Sequence, residues 1–193
     1  MKSGFTLIEL LVSISIFIII TSVAIWNNNA FNSSVLLTDL GYEIALSVRQ
    51  AQVYGTTVKA PSSCTSTGCP FTSGYGIDFD ITKPSQYILF EDGKMGSAPN
   101  HIYDTGELLQ NYAIGRGYSI AKICVPGFSS GLSKVDISFI RPEPESWVSV
   151  NGAAANLTEA DIYIQDPQKL NYREIIIEPT GQISVENASP TCQ

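Results

Sequence analysis

The chain begins with a long run of apolar residues. From Phe5 to Trp26 the only charged side chain in 22 residues is Glu9. An α-helix rises about 1.5 Å per residue, so a helix of this length can cross a bilayer. Only Lys2 and the amino group precede the run, which places this end in the cytoplasm by the positive-inside rule. The pattern predicts a single-pass membrane helix over residues 5–26, with the rest of the chain on the other side of the membrane.

Hydrophobic positions continue beyond this run at helical spacing. They recur at Val35, Leu36, Leu40, Ile44, Val48 and Ala51. This stripe predicts an amphipathic helix over residues 27–55, which runs to about Tyr54 and is ended by Gly55. Because no proline occurs before Pro61, we expect one helix from Phe5 to Tyr54, about 75 Å long at the usual helical rise.

From Gly55 onward the hydrophobic period changes to two. Candidate strands are Thr56–Lys59, Tyr75–Asp80, Tyr87–Glu91, Tyr118–Cys124, Val135–Ile140, Trp147–Val150, Asp161–Gln165, Glu174–Glu178 and Gln182–Val185. Asn151-Gly152 and Thr180-Gly181 are typical of hairpin tips. The predicted fold is α+β: a long N-terminal helix whose second half packs on antiparallel sheets formed by a β-rich domain, residues 56–193.

The charge of the chain lies beyond the apolar segment. The net charge is −7, and from Asn27 onward there are 10 basic and 17 acidic residues. Nucleic acids bind through clustered Lys and Arg, so an acidic domain of this kind disfavours a nucleic-acid partner.

The four cysteines form an even set in a chain that the apolar run predicts to be exported. They lack the paired CxxC spacing of a zinc site, so disulfides are favoured over metal. Sequence alone allows three pairings. We expect Cys64–Cys69, which would close a small loop, and Cys124–Cys192, which would pin the C-terminus; free buried thiols are the alternative.

Other segments suggest chemistry without completing it. The oxygen-bearing residues Asp92, Asn100, Asp104 and Glu107 have the ligand type that Ca²⁺ prefers, but they lack EF-hand spacing, and a solvated acidic loop is the alternative. Gly127–Gly131 matches a G-x-S-x-G elbow, yet the single histidine, His101, precedes the serine, so chance is the better explanation. Asp78 and Asp80 share one face of a predicted strand and are interpreted as edge or solvent charges. No coherent catalytic set is present, and we expect no enzymatic activity.

Two ordinary interpretations of the N-terminus leave features unexplained. A secretory signal peptide would have a shorter apolar run and a small-x-small cleavage site, neither of which the segment ending at Trp26 provides. A simple signal anchor explains neither Gly4 directly before the run nor Glu9 within it. A carboxylate at membrane depth costs about 2.5–3.5 kcal/mol at the helix centre, so Glu9 requires a partner.

Lys2-Ser3-Gly4 followed by Phe5-Thr6-Leu7-Ile8-Glu9 resembles the class III prepilin leader of type IV pilins and type II secretion pseudopilins. The resemblance implies a leader of residues 1–4 that prepilin peptidase removes between Gly4 and Phe5, followed by N-methylation of Phe5. It also implies that Glu9 directs filament assembly by pairing with the terminal amine of a neighbouring subunit. The implied partners are the peptidase, other pilins or pseudopilins and the inner-membrane assembly platform.

The stretches Tyr87–Glu91, Asp104–Leu108 and Tyr118–Ile120, together with the closing hairpin Ile175–Ile183, resemble the minor pseudopilin H (GspH) and FimT/FimU-type minor pilins. Members of that group often carry basic residues near the closing turn, whereas Gln182 follows the glycine here. The expected role is a minor subunit that is held in the inner membrane with its N-terminus cytoplasmic and then enters a filament. A major pilin, or a tip subunit that binds a ligand, are the alternatives.

Overall fold

One helix and a set of antiparallel strands make up the fold. The computed structural model describes residues 4–57, 59, 73–93, 98–128, 131–157, 159–189 and 191–192. Helix α1 spans Leu7–Thr56, within two residues of each predicted end. The chain divides into two compact units, Met1–Leu36 and Leu37–Gln193, and each is treated by itself.

The second unit carries all the strands of the described residues. They are β1 Gly74–Asp80, β2 Gln86–Asp92, β3 Leu108–Ala113, β4 Ser119–Cys124, β5 Lys134–Phe139, β6 Trp147–Val150, β7 Ala153–Leu157, β8 Ala160–Gln165, β9 Tyr172–Ile177 and β10 Ile183–Asn187. Six strands form one sheet in the order β3-β2-β1-β5-β6-β7, and four form a second in the order β10-β9-β8-β4. Every pairing between these strands is antiparallel. The α+β class, with an N-terminal helix and antiparallel sheets, is confirmed and is consistent with a type IV pilin-like fold.

The buried face of α1 in the second unit follows the predicted stripe at Ile44, Val48 and Ala51. Its fully buried apolar residues are Leu37, Ile44, Val48 and Ala51, whereas Val35 is 42% exposed. Gly41 and Gly55 are also buried on this part of the helix. A pattern of hydrophobic residues cannot reveal that these two glycines lie on the core side.

These glycines mark where α1 approaches the sheets most closely. A Cβ built on Gly55 would lie 2.2 Å from the carbonyl oxygen of Phe139 in β5, and one on Gly41 would lie 2.9 Å from Cγ1 of Val185 in β10. The helix therefore packs on both sheets where it has no side chain. Polar contacts add to this packing, because Gln52 Nε2 donates to the carbonyls of Pro144 at 2.9 Å and Gly181 at 3.0 Å.

Eight of the nine predicted strands are confirmed, and two observed strands were not predicted. The predicted strand Thr56–Lys59 is wrong where it can be compared, because Thr56 still belongs to α1. Strands β3 and β7 were not predicted as strands. In β3 four of the six side chains are exposed, and β7 (AAANL) is made mostly of alanine, so neither strand shows a hydrophobic period of two.

Candidate assembly site

Thr6 is the N-cap residue of helix α1. Its side-chain oxygen accepts the N–H of Glu9 at 3.4 Å, and its hydroxyl lies 3.5 Å from the Glu9 carboxylate. Thr6 and Glu9 thus occupy the two positions of a capping box, although only the first of these contacts is the usual backbone bond. A carboxylate in the first turn is also favoured by the positive end of the helix dipole. Gly4 and Phe5 precede the helix and are both exposed, Phe5 by 78%.

The helix that follows exposes an apolar surface. The large hydrophobic side chains from Phe5 to Ile25 that the structure describes are all more than half exposed, from 51% for Val12 to 81% for Leu7. A contiguous apolar surface of this size marks an interaction with lipid or with another protein. No described residue of the first unit covers these side chains.

The hydroxyl groups within this stretch are satisfied by the helix itself. Ser13 donates to the carbonyl of Glu9 at 2.7 Å, Ser15 to that of Leu11 at 2.8 Å, and Thr21 to that of Phe17 at 2.8 Å. Their hydroxyls therefore do not oppose transfer to an apolar environment. Glu9 is the exception, since it is the one ionisable side chain of the segment.

The length and hydropathy needed for a membrane crossing are not met by any helix among the described residues.

The comparison with protein-family models gives one match. Residues 1–25 match the model described as the prokaryotic N-terminal methylation motif. This match supports a type IV pilin or pseudopilin that prepilin peptidase processes and that assembles with other pilins. The motif also implies anchoring in the inner membrane before assembly, and proteins with this motif are structural rather than enzymatic. Searches of curated proteins and of solved structures found no match to this chain.

One of the two expected disulfides is present in the second unit. Cys124 and Cys192 are bonded, with Cα atoms 5.5 Å apart. Cys124 ends β4 and Cys192 follows β10, and these two strands are the opposite edges of the four-stranded sheet. The bond therefore ties the C-terminal segment across that sheet. The other expected pair, Cys64–Cys69, lies outside the described residues.

The residues expected to bind calcium make hydrogen bonds within one loop. Asp92 accepts the backbone N–H groups of Asn100 and His101, each at 2.8 Å, and Glu107 accepts those of Gly93 and Asp104, each at 3.0 Å. Their oxygens are therefore occupied by donors. Within the described ranges, no group of three or more His, Cys, Asp or Glu side chains is placed to hold a metal ion. Calcium binding by these residues stays a prediction.

The single histidine is a structural residue of the same loop. His101 Nδ1 lies 2.9 Å from the Ser138 hydroxyl, and its ring stacks on Trp147 with centroids 4.1 Å apart. Burial lowers the pKa of His101. Ser129 of the G-x-S-x-G match lies outside the described residues.

A buried polar cluster that the sequence interpretation missed lies on the six-stranded sheet. Asp78 is 5% exposed and Asp136 is fully buried, and Lys134 Nζ lies 3.6 Å from Asp78 and 3.3 Å from Asp136. The interpretation of Asp78 as an edge or solvent charge is wrong, because β1 is paired on both sides. Asp78 and Asp136 were visible in the sequence, but the pairing of their strands was not.

A second acidic surface lies on the four-stranded sheet. A cavity of about 770 Å³ beside the disulfide is lined by Asp161, Glu174 and Glu186, and also by Lys122. Burial, together with Glu174 and Glu159, raises the pKa of Asp161 to about 6. Asp161 therefore carries its negative charge mainly above that pH.

Proposed function

We propose that the chain is a structural subunit of a type IV pilus or a type II secretion pseudopilus. The observation that carries this proposal is an N-terminal methylation motif over residues 1–25 at the head of a helix whose apolar side chains are exposed. Prepilin peptidase would cut between Gly4 and Phe5, and Phe5 would be N-methylated. In this role the chain is a substrate of the peptidase and catalyses no reaction.

The exposed apolar surface of the helix suits two successive locations of the subunit, first in the lipid bilayer and then in a filament. Fourteen large apolar side chains between Phe5 and Ile25 are exposed, and burial of each contributes about 1.5 kcal/mol or more. The cost of one carboxylate in lipid is about 2.5–3.5 kcal/mol at the helix centre and less towards the end of the helix. Burial of this apolar surface in lipid is therefore favourable despite Glu9. Packing against the helices of other subunits would bury the same surface in the filament.

Glu9 is the residue to which we assign the assembly signal. Its carboxylate is exposed and, apart from the weak contact with Thr6, accepts no described hydrogen bond. Once apolar surroundings replace water, a carboxylate without a counter-charge is strongly unfavourable. The terminal amine of a neighbouring subunit, created by cleavage before Phe5, would supply that counter-charge.

Within this class we favour a minor subunit of the pseudopilin H or FimT/FimU type. The support is the looser similarity of the segments around β2, β3, β4 and the β9–β10 hairpin. The amount of the protein in sheared filaments distinguishes the alternatives, because a major pilin would dominate them and a minor subunit would be rare.

The test compares two isosteric variants on the same helix. Glu9→Gln removes the charge but retains a residue type that the capping box accepts at this position. Glu43→Gln is the matched control, since Glu43 is exposed on the second half of α1. Mass spectrometry of protein from native cells reports the N-terminus, and filament shearing reports incorporation.

We expect N-methyl-Phe5 at the N-terminus of the wild type and of both variants. Glu9→Gln should be cleaved normally and remain in the membrane, with filament incorporation reduced by about tenfold or more, equivalent to a loss of at least about 1.4 kcal/mol. Glu43→Gln should incorporate as the wild type does. Retention of Met1, or normal incorporation of Glu9→Gln, would contradict the proposal and leave an anchored binding domain as the better explanation.

A further inference from the structure

Two buried aspartates face each other in the middle of the six-stranded sheet. Asp78 of β1 and Asp136 of β5 are directly opposite in the antiparallel register. Side chains at opposite positions have Cβ atoms about 4.5–5.5 Å apart. Two carboxylates at this separation in a buried site repel each other strongly, and one of the pair then tends to retain its proton.

The hydrogen-bond inventory of the pair points to the same state. Asp136 Oδ2 is buried without a hydrogen-bond donor, and Asp78 Oδ1 has only the ion pair with Lys134 Nζ at 3.6 Å, which is too long for a hydrogen bond. Two ionised carboxylates only accept hydrogen bonds, so they cannot satisfy each other. A single proton on one of them supplies the missing donor. The same proton brings the cluster of two aspartates and Lys134 to zero net charge.

The cluster also holds the segment that covers this face of the sheet, residues 98–107, which we call the covering segment. The backbone N–H of Tyr103 donates to Asp136 Oδ1 at 3.3 Å, and Lys134 Nζ donates to the Tyr103 carbonyl at 3.5 Å. The Tyr103 ring packs on Phe90 of β2 at 5.6 Å between centroids. The charge state of the cluster therefore acts directly on the backbone of the covering segment.

We propose that Asp78 and Asp136 share one proton, and that loss of this proton loosens the covering segment from the sheet. With the proton, the cluster is neutral and Asp136 holds Tyr103. Without it, a net negative charge is buried beneath the segment, and opening to water relieves that charge. The domain thus contains a pH-sensitive latch, an inference that does not rest on the proposed function.

The pH range in which the latch would open depends on the pKa values of the two aspartates and on the charged groups around them. Burial, followed by the charge of Asp78, raises the pKa of Asp136 to about 7, and burial also raises that of Asp78. Lys134 opposes both shifts. The remaining neighbours on the strands and on the covering segment are Asp80, Asp92, His101, Tyr103, Asp104 and Glu107.

The direction of the pH effect follows from these shifts. The folded domain holds a proton on Asp136 where the unfolded chain, with an ordinary pKa of 3.8, has lost it. The stabilisation is therefore complete below about pH 4 and is lost as the pH rises through about 7. Raised pKa values of Asp92 and Glu107 act in the same direction. The lowered pKa of His101 acts in the opposite direction, so His101 cannot cause a loss at high pH.

The test uses the full-length chain in detergent micelles. Carboxyl carbon-13 NMR follows the titration of Asp78 and Asp136, and amide exchange follows protection of the Tyr103 N–H after correction for intrinsic rates. The variants are Asp136→Asn and Asp78→Asn, which imitate the protonated state. Glu143→Gln, which changes an exposed carboxylate outside the cluster, is the control. Lys134→Met removes the cation.

We expect one carboxyl of the pair to titrate near pH 7, and Tyr103 protection to fall by at least about tenfold between pH 5 and pH 8, since one pKa unit is a factor of ten. In either Asn variant this fall should shrink to less than about twofold, whereas Glu143→Gln should behave as the wild type does. Lys134→Met should move the titration to higher pH.

Titration of both carboxyls below about pH 5 would overturn the shared proton. Protection of Tyr103 that is independent of pH would overturn the latch. Because the carboxyl titration is measured on the wild type, the proposal can be refuted even where a variant fails to fold.

Discussion

Both halves of helix α1 carry large apolar side chains, but these side chains are opposite in burial. Before Ile25 the large apolar side chains are more than half exposed, whereas Leu37, Ile44 and Val48 are completely buried. The second half has polar residues on its outer face, and the sheets cover the inner face. The first half is apolar all round and has no cover in the first unit. The comparison teaches that the chain completes the core of its second unit alone but leaves the first half of its helix to be completed from outside.

The difference in burial between the two halves of the helix is tested most directly by one substitution in each half. Ile44→Ala should lower the free energy of unfolding of the second unit by about 2–5 kcal/mol, because it leaves a cavity against the sheets. Ile14→Ala makes the same chemical change on an exposed side chain and should change it by less than about 0.5 kcal/mol. Urea denaturation of the full chain in mild detergent, followed by near-ultraviolet circular dichroism, measures both values. Equal effects would show that the two halves do not differ in this way.

A slightly smaller effect is expected from the disulfide that supports the cover of the second half. Replacing Cys124 and Cys192 by serine removes a closure of 68 residues, for which chain entropy predicts a loss of up to about 4 kcal/mol. Because β10 carries Val185 against Gly41 of the helix, the loss should appear as earlier unfolding in urea. A midpoint identical to that of the oxidised wild type would mean that the four-stranded sheet does not need the tie.

The smallest effect tests the polar contacts of the second half. Gln52→Ala should cost about 1–3 kcal/mol, since it leaves the carbonyls of Pro144 and Gly181 without the amide that now donates to them. Gln50→Ala is the matched control, because Gln50 is only partly buried and bonds to tyrosine hydroxyls. The same urea titration applies. If Gln52→Ala lowers the free energy of unfolding no more than the control does, apolar packing alone holds the helix on the sheets.

The helix and most strands were predictable because their signals are local. The run from Phe5, the stripe ending near Ala51 and the alternation in β5 and β8 each depend on neighbouring residues. The Thr6–Glu9 contact was also open to recognition from the spacing of a capping box. The leader motif was recognised from a few adjacent residues, and its match over residues 1–25 supports it.

The buried carboxylate pair could not be predicted, because its cause is not local. Asp78 and Asp136 are far apart in the sequence and meet only when β1 and β5 pair in one particular register. A shift of that register by one residue would turn one of them to the other face of the sheet. The loop contacts of Asp92 and Glu107 have the same origin, since an acidic loop has the same composition whether its carboxylates bind calcium or backbone amides.

Gly55 has a consequence for how this sequence tolerates change. It lies within α1, where a helix-propensity scale would recommend alanine and predict a gain of about 1 kcal/mol. A methyl group there would overlap the carbonyl oxygen of Phe139, because the ideal Cβ position is 2.2 Å away. Even a substitution by alanine is therefore not tolerated at position 55. The exposed apolar positions before Ile25, in contrast, accept exchange among hydrophobic residues as far as the fold of the second unit is concerned.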